Sequence, residues 1–201
     1  LKAFIPEIMR KMSFEELMYV VPIYYQFCYT VGIEKNFMIN QKQISEHLLV
    51  PFSKLLQKTL DKLNLKPLCY DINENRYVII CRHAVTKGMY APGSNMYSIT
   101  SGLLNLGKEV VLVTIGKIDN QYIHLKKNSP NLTILTKDEV STAFIQLINL
   151  RKICENFKPT KIITEMPVSI GTALYHSKIS SKFLYWSPGF TQVPWFDKNI
   201  S

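Results

Sequence analysis

From about residue 75 onward, short apolar runs alternate with longer helical patterns, and this alternation constrains the fold more than any other feature of the chain. The runs are rich in β-branched and aromatic residues and read "YVIIC" (77–81), "VVLVTI" (110–115), "KIIT" (161–164) and "FLYW" (183–186), while "NLTIL" (131–135) adds a strand or an edge. Helical periodicity covers Ser94–Leu106, Ser141–Phe157 and Thr172–His176. Strands that alternate with helices form βαβ crossovers. The sequence therefore predicts an α/β fold with a mostly parallel sheet and helices on both faces.

Residues 1 to about 66 have a helical pattern. Ser13, with Glu16 three residues later, forms a capping box before an apolar run. Apolar residues then recur at helical spacing from Ile44 to Leu63, and Pro51 within this pattern predicts a kink or two short helices. The uncharged stretch "LMYVVPIYYQFCYTVGI" (17–33) contains a proline, a glutamine and four tyrosines. Because a membrane-spanning helix needs about 20 apolar residues, we expect a buried or interfacial helix here.

Composition limits the classes of function. The 201 residues carry a net charge of +9, yet the basic residues are scattered, which does not favour a nucleic-acid partner and leaves peripheral association with an anionic membrane open. The four cysteines are widely separated, which indicates a reducing compartment and a cytoplasmic location. Cys81 and His83 offer two metal-type ligands without a second pair, so we expect no metal site.

The segment "APGSNMYSITSGLLNLGKEVVLVTIG" (91–116) is predicted to continue the first β–loop–α–β unit of a Rossmann-like sheet. We expect Ser94 or Asn95 to cap the helix and Gly107 to end it with a positive φ. The helix N-terminus can hold an anion or a sugar hydroxyl. The dinucleotide-binding pattern G-x-G-x-x-G is missing from this loop. The chain thus divides into a helical N-terminal region, 1–66, and a Rossmann-like domain, 67–201.

Open α/β sheets bind ligands at the carboxyl ends of their strands. Those ends carry Arg82 and His83 after the first strand, Thr114–Gly116 after the second, Glu165 after the fourth and Ser187–Gly189 after the last. His83 is a candidate general base, or else a structural residue that binds the backbone. Glu165 is expected either to orient a ligand hydroxyl or to form an ion pair with Arg82.

Two stretches resemble the N-terminal half of a GT-B glycosyltransferase. They are the segment 91–116 and "FKPTKIITEMPVSIGTALYHSKISSKFLYWSPGF" (157–190), and the similarity extends over about residues 76 to 195. A helical segment before such a core is also similar, more weakly, to cytoplasmic bacterial protein glucosyltransferases. Enzymes of the GT-B class pair two Rossmann-like domains, of which the first mostly binds the acceptor and the second binds the nucleotide-sugar donor.

The resemblance implies catalytic roles for His83 and Glu165 and substrate binding by another set of residues. That set is Arg82, Gly93, Ser94, Asn95, Ser187 and Gly189. The partners implied are a sugar acceptor and a nucleotide-sugar co-substrate, with neither a metal nor another cofactor. The donor-binding domain would lie outside this chain, so we expect little turnover and weak nucleotide-sugar binding from the chain alone.

Two other classes of function stay open at this point. One is a non-catalytic binding or interaction module with a Rossmann-like fold. The other is a methyltransferase or another nucleotide-binding protein, which would favour an acidic residue at the end of the second strand. That position reads Thr114-Ile115-Gly116, and Asp119 is the nearest acid.

Overall fold

The computed structural model describes residues 4–35, 43–86, 91–136, 141–165, 168, 170–186 and 195–200. Within them the chain forms α1 (Phe4–Arg10), α2 (Phe14–Lys35), a π-helical segment (Ser45–Leu49), α3 (Val50–Lys62), β1 (Asn73–Cys81), α4 (Ala91–Asn105), β2 (Glu109–Thr114), α5 (Asn120–Asn128), β3 (Leu132–Thr136), α6 (Ala143–Phe157), β4 (Pro159–Thr164), α7 (Ile170–His176), β5 (Lys182–Trp186) and β6 (Lys198–Ile200).

The strands form one Rossmann-like sheet in the order β3-β2-β1-β4-β5-β6. Each neighbouring pair is parallel. From β1 the chain adds strands in one direction as far as β3, then crosses back to place β4 on the other side of β1. This order confirms the predicted α/β fold, and the predicted strands coincide with β1 to β5 within a few residues at their ends. Helix α5 and the short β6 are additions that the sequence pattern did not indicate.

Each face of the sheet supports its own apolar core, because successive side chains of a strand point to opposite faces. Ile79 and Cys81 of β1 pack in a cluster with Met96 of α4 and Tyr122 of α5. The alternate residues of β1 belong to a larger cluster on the other face. That cluster contains side chains of α6 and α7 and also of α1, α2 and α3. The N-terminal helices therefore extend the core of one face of the sheet.

The N-terminal region is helical, as predicted, over residues 4–10, 14–35 and 43–62. The capping box is confirmed: the Ser13 N–H donates to Glu16 Oε2 at 2.7 Å, and the Glu16 N–H donates to Ser13 Oγ at 3.3 Å. At Pro51 the structure changes from π-helix to α-helix, because proline lies in the first turn of α3 and lacks an N–H to donate.

The start of α4 corrects one prediction. The helix begins at Ala91, so neither Ser94 nor Asn95 is its N-cap. Pro92 lies in the first turn, where its fixed φ suits a helix and its missing N–H costs nothing. The Ser94 hydroxyl instead donates to the carbonyl of Thr86 at 2.9 Å. At the other end Gly107 has a φ of 72°, which confirms its predicted role.

Candidate functional site

Arg82 and Glu165 meet at the carboxyl edge of the sheet, where β1 and β4 lie side by side. Ile80 pairs with Thr164 in these strands, so the residues that follow them are neighbours. Glu165 is buried, and its Oε1 accepts the backbone N–H of Arg82 at 2.7 Å. The carboxylate therefore fixes the chain as it leaves β1. Burial, together with the negative charge of Glu165, raises the pKa of the nearby Cys81 thiol, which stays protonated.

His83 is held by the loop that follows β2. Its Nδ1 accepts the backbone N–H of Lys117 at 3.2 Å, so the neutral ring carries its proton on Nε2. Gly116 makes this arrangement possible: a Cβ there would lie 2.2 Å from Nδ1 and 2.5 Å from Cε1 of His83. In this geometry the neutral imidazole presents a hydrogen-bond donor at Nε2.

A cavity of about 630 Å³ opens beside these residues. Arg82, His83, Ile115 and Gly116 form its sheet side. Its other walls are α2, through Met18, Tyr19, Pro22, Ile23 and Gln26, and the region around α6 and α7, through Ala143, Gln146, Val168 and Ile170. Arg82 and His83 are the basic side chains of this lining, and neither Asp nor Glu is among its described residues. The cavity thus combines apolar walls with donors at one end.

Glu15 holds α2 against the start of α6, so that α2 forms one wall of this cavity. Its two carboxylate oxygens accept the backbone N–H groups of Ala143 and Phe144, each at 2.8 Å, at the start of α6. Thr142 Oγ1 accepts a third N–H of that first turn, from Ile145, at 3.3 Å. A helix N-terminus attracts anions through its unpaired N–H groups and its dipole. At α6 the carboxylate of the chain itself already occupies that position.

Asp119 occupies the N-terminus of α5 in the same way. Its Oδ1 accepts the N–H groups of Gln121 and Tyr122 at 3.0 and 3.2 Å, and its Oδ2 accepts the N–H and hydroxyl of Thr86 at 2.6 and 2.7 Å. Burial pushes the pKa of Asp119 upward, but these hydrogen bonds outweigh burial and hold the pKa below its usual value. Four bonds fill the accepting capacity of a carboxylate. Asp119 is therefore engaged in holding two loops together.

The other predicted site residues lie apart from the cavity lining. The carbonyl of Gly93 accepts the Tyr122 hydroxyl at 2.9 Å, on the sheet face covered by α4 and α5. Asn95 is exposed near the start of α4. Ser187 and Gly189 fall outside the described residues. The structure thus brings together Arg82 and His83, with Glu165 behind them, but does not place Gly93, Ser94 and Asn95 in the same cavity.

Sequence reasoning missed the contribution of α2 to this cavity. The pattern predicted a buried or interfacial helix, whereas Tyr19, Pro22 and Ile23 line the open space beside Arg82. A signal was present in the sequence. No side of the helix carries a charged residue between Leu17 and Ile33, whereas a helix that buries one face needs apolar residues on that face only.

No family model, curated protein or solved structure matches this chain. Within the described ranges, no group of three or more His, Cys, Asp or Glu side chains is placed to hold a metal ion. Nor does the same part of the chain contain a helix with the length and hydropathy needed to cross a membrane.

Proposed function

We propose that this chain is the acceptor-side domain of a GT-B-type glycosyltransferase, which transfers a sugar from a nucleotide-sugar to a hydroxyl or amide. The observation that carries the proposal is the cavity beside Arg82 and His83. It lies at the carboxyl edge of the sheet beside β1 and β4, where the strand order reverses, and ligands of open α/β sheets bind in the crevice at such a point. Its volume of about 630 Å³ falls within the range of small-molecule sites.

The engaged helix N-termini favour an acceptor-side role over nucleotide binding. A diphosphate bound at α5 or α6 would have to displace Asp119 or Glu15 from their backbone N–H groups. The donor would therefore be held by a second domain that faces this edge of the sheet. The same engagement of Asp119 argues against the alternative of a methyltransferase or other nucleotide-binding protein, which needs an available acid near the end of β2.

The chemistry assigns separate tasks to the three residues at the edge. Transfer breaks the bond between the anomeric carbon and a phosphate oxygen, forms a bond to the acceptor oxygen or nitrogen, and releases the proton of the acceptor. Arg82 binds polar or anionic groups of the acceptor, and Glu165 positions Arg82 through its backbone. His83 donates from Nε2 to the acceptor in the described geometry. To act as a base at Nε2, His83 must carry its proton on Nδ1 instead. It then loses the hydrogen bond from the Lys117 N–H, because a protonated Nδ1 cannot accept it.

Turnover of the full-length enzyme, assayed with a panel of nucleotide-sugars, tests the role of His83. If His83 is a general base, both His83→Ala and His83→Gln lower turnover by about 10²–10⁴. If His83 acts as a donor, His83→Gln keeps most of the activity because its amide N–H replaces Nε2–H. His124→Ala is the matched control, since His124 is exposed on α5. Unchanged turnover in His83→Ala would show that His83 takes no part in catalysis.

Calorimetry on the isolated chain tests the placement of the donor. We expect nucleotide-sugar affinity in the millimolar range or weaker, because two helix N-termini are already filled. Micromolar affinity without a second domain would show that the donor site lies within this chain. The proposed division of the site between two domains would then be wrong.

A non-catalytic interaction module is the second candidate function. The exposed apolar face of α2, with Ile23 and Phe27 on its outer side, favours it. This candidate predicts that the full-length protein transfers no sugar while substitutions on that face still abolish its association with a partner.

A further inference from the structure

Helix α2 carries an apolar stripe on its outer side. The stripe consists of Tyr19, Val20, Ile23 and Phe27, whose exposed fractions are 54%, 44%, 71% and 62%. Their spacing of three and four residues places them on one face of the helix. The inner side of α2 is buried in the core through residues such as Leu17 and Val21. A surface helix ordinarily presents a polar outer face. The apolar composition of this face is therefore typical of a surface that binds a partner or a membrane.

The stripe is continuous with the cavity, and the cavity is cationic. Tyr19 and Ile23 belong both to the stripe and to the cavity lining, which leads from them to Arg82. Arg82 is exposed, and the described lining contains no carboxylate to oppose it, although Glu16, one turn before Val20 on α2, is also exposed. The chain as a whole carries a charge of +9. The partner that complements this surface combines an apolar layer with negative charge.

We propose that α2 docks on an anionic lipid bilayer, with the stripe among the upper acyl chains and a lipid phosphate at Arg82. A bilayer offers an apolar layer that adapts to any helix face, next to dense anionic head groups. Tyrosine and phenylalanine suit that boundary. Because α2 is also packed against the core through Leu17 and Val21, it lies along the bilayer surface. This proposal shares Arg82 with the transferase proposal, but it does not require sugar transfer.

Vesicle sedimentation with the full chain tests the proposal. We expect affinity for phosphatidylcholine vesicles containing about 30% phosphatidylglycerol to exceed that for pure phosphatidylcholine by about tenfold, and to fall as salt is added. The double variant Ile23→Asn and Phe27→Asn should bind about a hundredfold more weakly. Leu106→Asn is the matched control, because Leu106 is 73% exposed in the turn that follows α4.

The charged component is tested separately. Arg82→Gln should lower affinity for the anionic vesicles about fivefold, the effect of one cation near the surface. Lys127→Gln, on the exposed surface of α5, should leave it unchanged. Inorganic phosphate should not compete with the vesicles at millimolar concentration.

Three results would overturn the proposal. The first is a double variant that stays folded by circular dichroism and binds vesicles as well as the unmodified chain. The second is a concentration-dependent dimer in light scattering that the double variant abolishes while neither form binds vesicles, because a second copy would then cover the stripe. The third is displacement by inorganic phosphate, which would make Arg82 a site for free anions. All of these results are measured on this chain without an assay of sugar transfer. The failure of the membrane proposal can therefore be distinguished from the failure of the proposed enzyme activity.

Discussion

The histidine at the end of α7 should make the stability of the fold strongly pH-dependent. His176 Nε2 lies 2.7 Å from the Ser53 hydroxyl of α3, so this contact joins the N-terminal helices to the layer that covers the sheet. Burial lowers the pKa of His176 from its ordinary value of 6.5 to about 4, although the negative charge of Asp61 opposes this effect. A cavity of about 30 Å³ lies beside the ring and has room for a water molecule.

The size and sign of the effect follow from the two pKa values. Above pH 6.5 the imidazole is neutral in both the folded and the unfolded chain, so it contributes no pH dependence. Between pH 6.5 and about 4 the unfolded chain binds a proton that the folded chain does not, and stability falls as the pH falls. The interval of about 2.5 pH units corresponds to about 3 kcal/mol. Below about pH 4 both states are protonated, and the loss from this group is complete.

Urea unfolding followed by circular dichroism measures this contribution. The free energy of unfolding is determined between about pH 7.5 and about pH 4 for the unmodified chain and for His176→Gln. Subtraction removes the contribution of the carboxylates that titrate in both proteins. We expect the difference between the two free energies to change by about 3 kcal/mol over this range, with the unmodified chain losing more on acidification.

Thr59→Ala is the matched control for this experiment. Thr59 lies on the same helix as Ser53, and its hydroxyl donates to the carbonyl of Leu55 at 2.8 Å. Its loss should lower the free energy of unfolding by the same amount at every pH. A difference between the unmodified chain and His176→Gln that stays constant within about 0.5 kcal/mol would contradict a lowered pKa of His176. Such a result would mean that the imidazole is solvated in the folded chain.

Three further substitutions test the supports of the candidate site by urea unfolding. Gly116→Ala should cost about 1–3 kcal/mol, because its methyl group displaces the His83 ring, and an NMR spectrum with an unmoved ring would contradict this. Glu15→Gln should cost about 1–2 kcal/mol, because an amide oxygen replaces the carboxylate at the positive end of α6, and equal stability at neutral pH would disprove the role. Asp119→Ala should cost about 2 kcal/mol through the lost cap of α5 and its bonds to Thr86, whereas a loss below about 0.5 kcal/mol would show that water replaces the carboxylate.

The sequence predicted part of the candidate site, but it did not predict all of the residues that line the cavity. The order of strands and helices placed Arg82, His83 and Glu165 at one edge of the sheet, because parallel strands end at the same edge. The prediction for Glu165 allowed an ion pair with the side chain of Arg82, and the structure shows a bond to its backbone N–H instead. The wall formed by α2 could not be read from the helical pattern, since that pattern does not say against which part of the molecule a helix packs.

Local sequence patterns specified most of the strands and helices, but not α5 or β6. Apolar β-branched runs such as 77–81 and 110–115 specify strands locally, and Ser13 with Glu16 specifies the start of a helix within four residues. These signals act between near neighbours, so a short window of sequence contains them. The start of α4 was misplaced because Pro92 allowed the helix to begin three residues before the serine that was expected to cap it.

The pairing of groups distant in sequence depends on how the elements pack together. Glu15 binds backbone N–H groups 128 and 129 residues away, and Ser53 contacts His176 across 123 residues. The entropy of closing a loop grows only slowly with its length, so separation along the chain hardly restricts such choices. These pairs form when helices cover the two apolar faces of the sheet. Each buried polar group then hydrogen-bonds to a group that this packing places near it. The filled helix N-termini and the cavity beside Arg82 result from that packing.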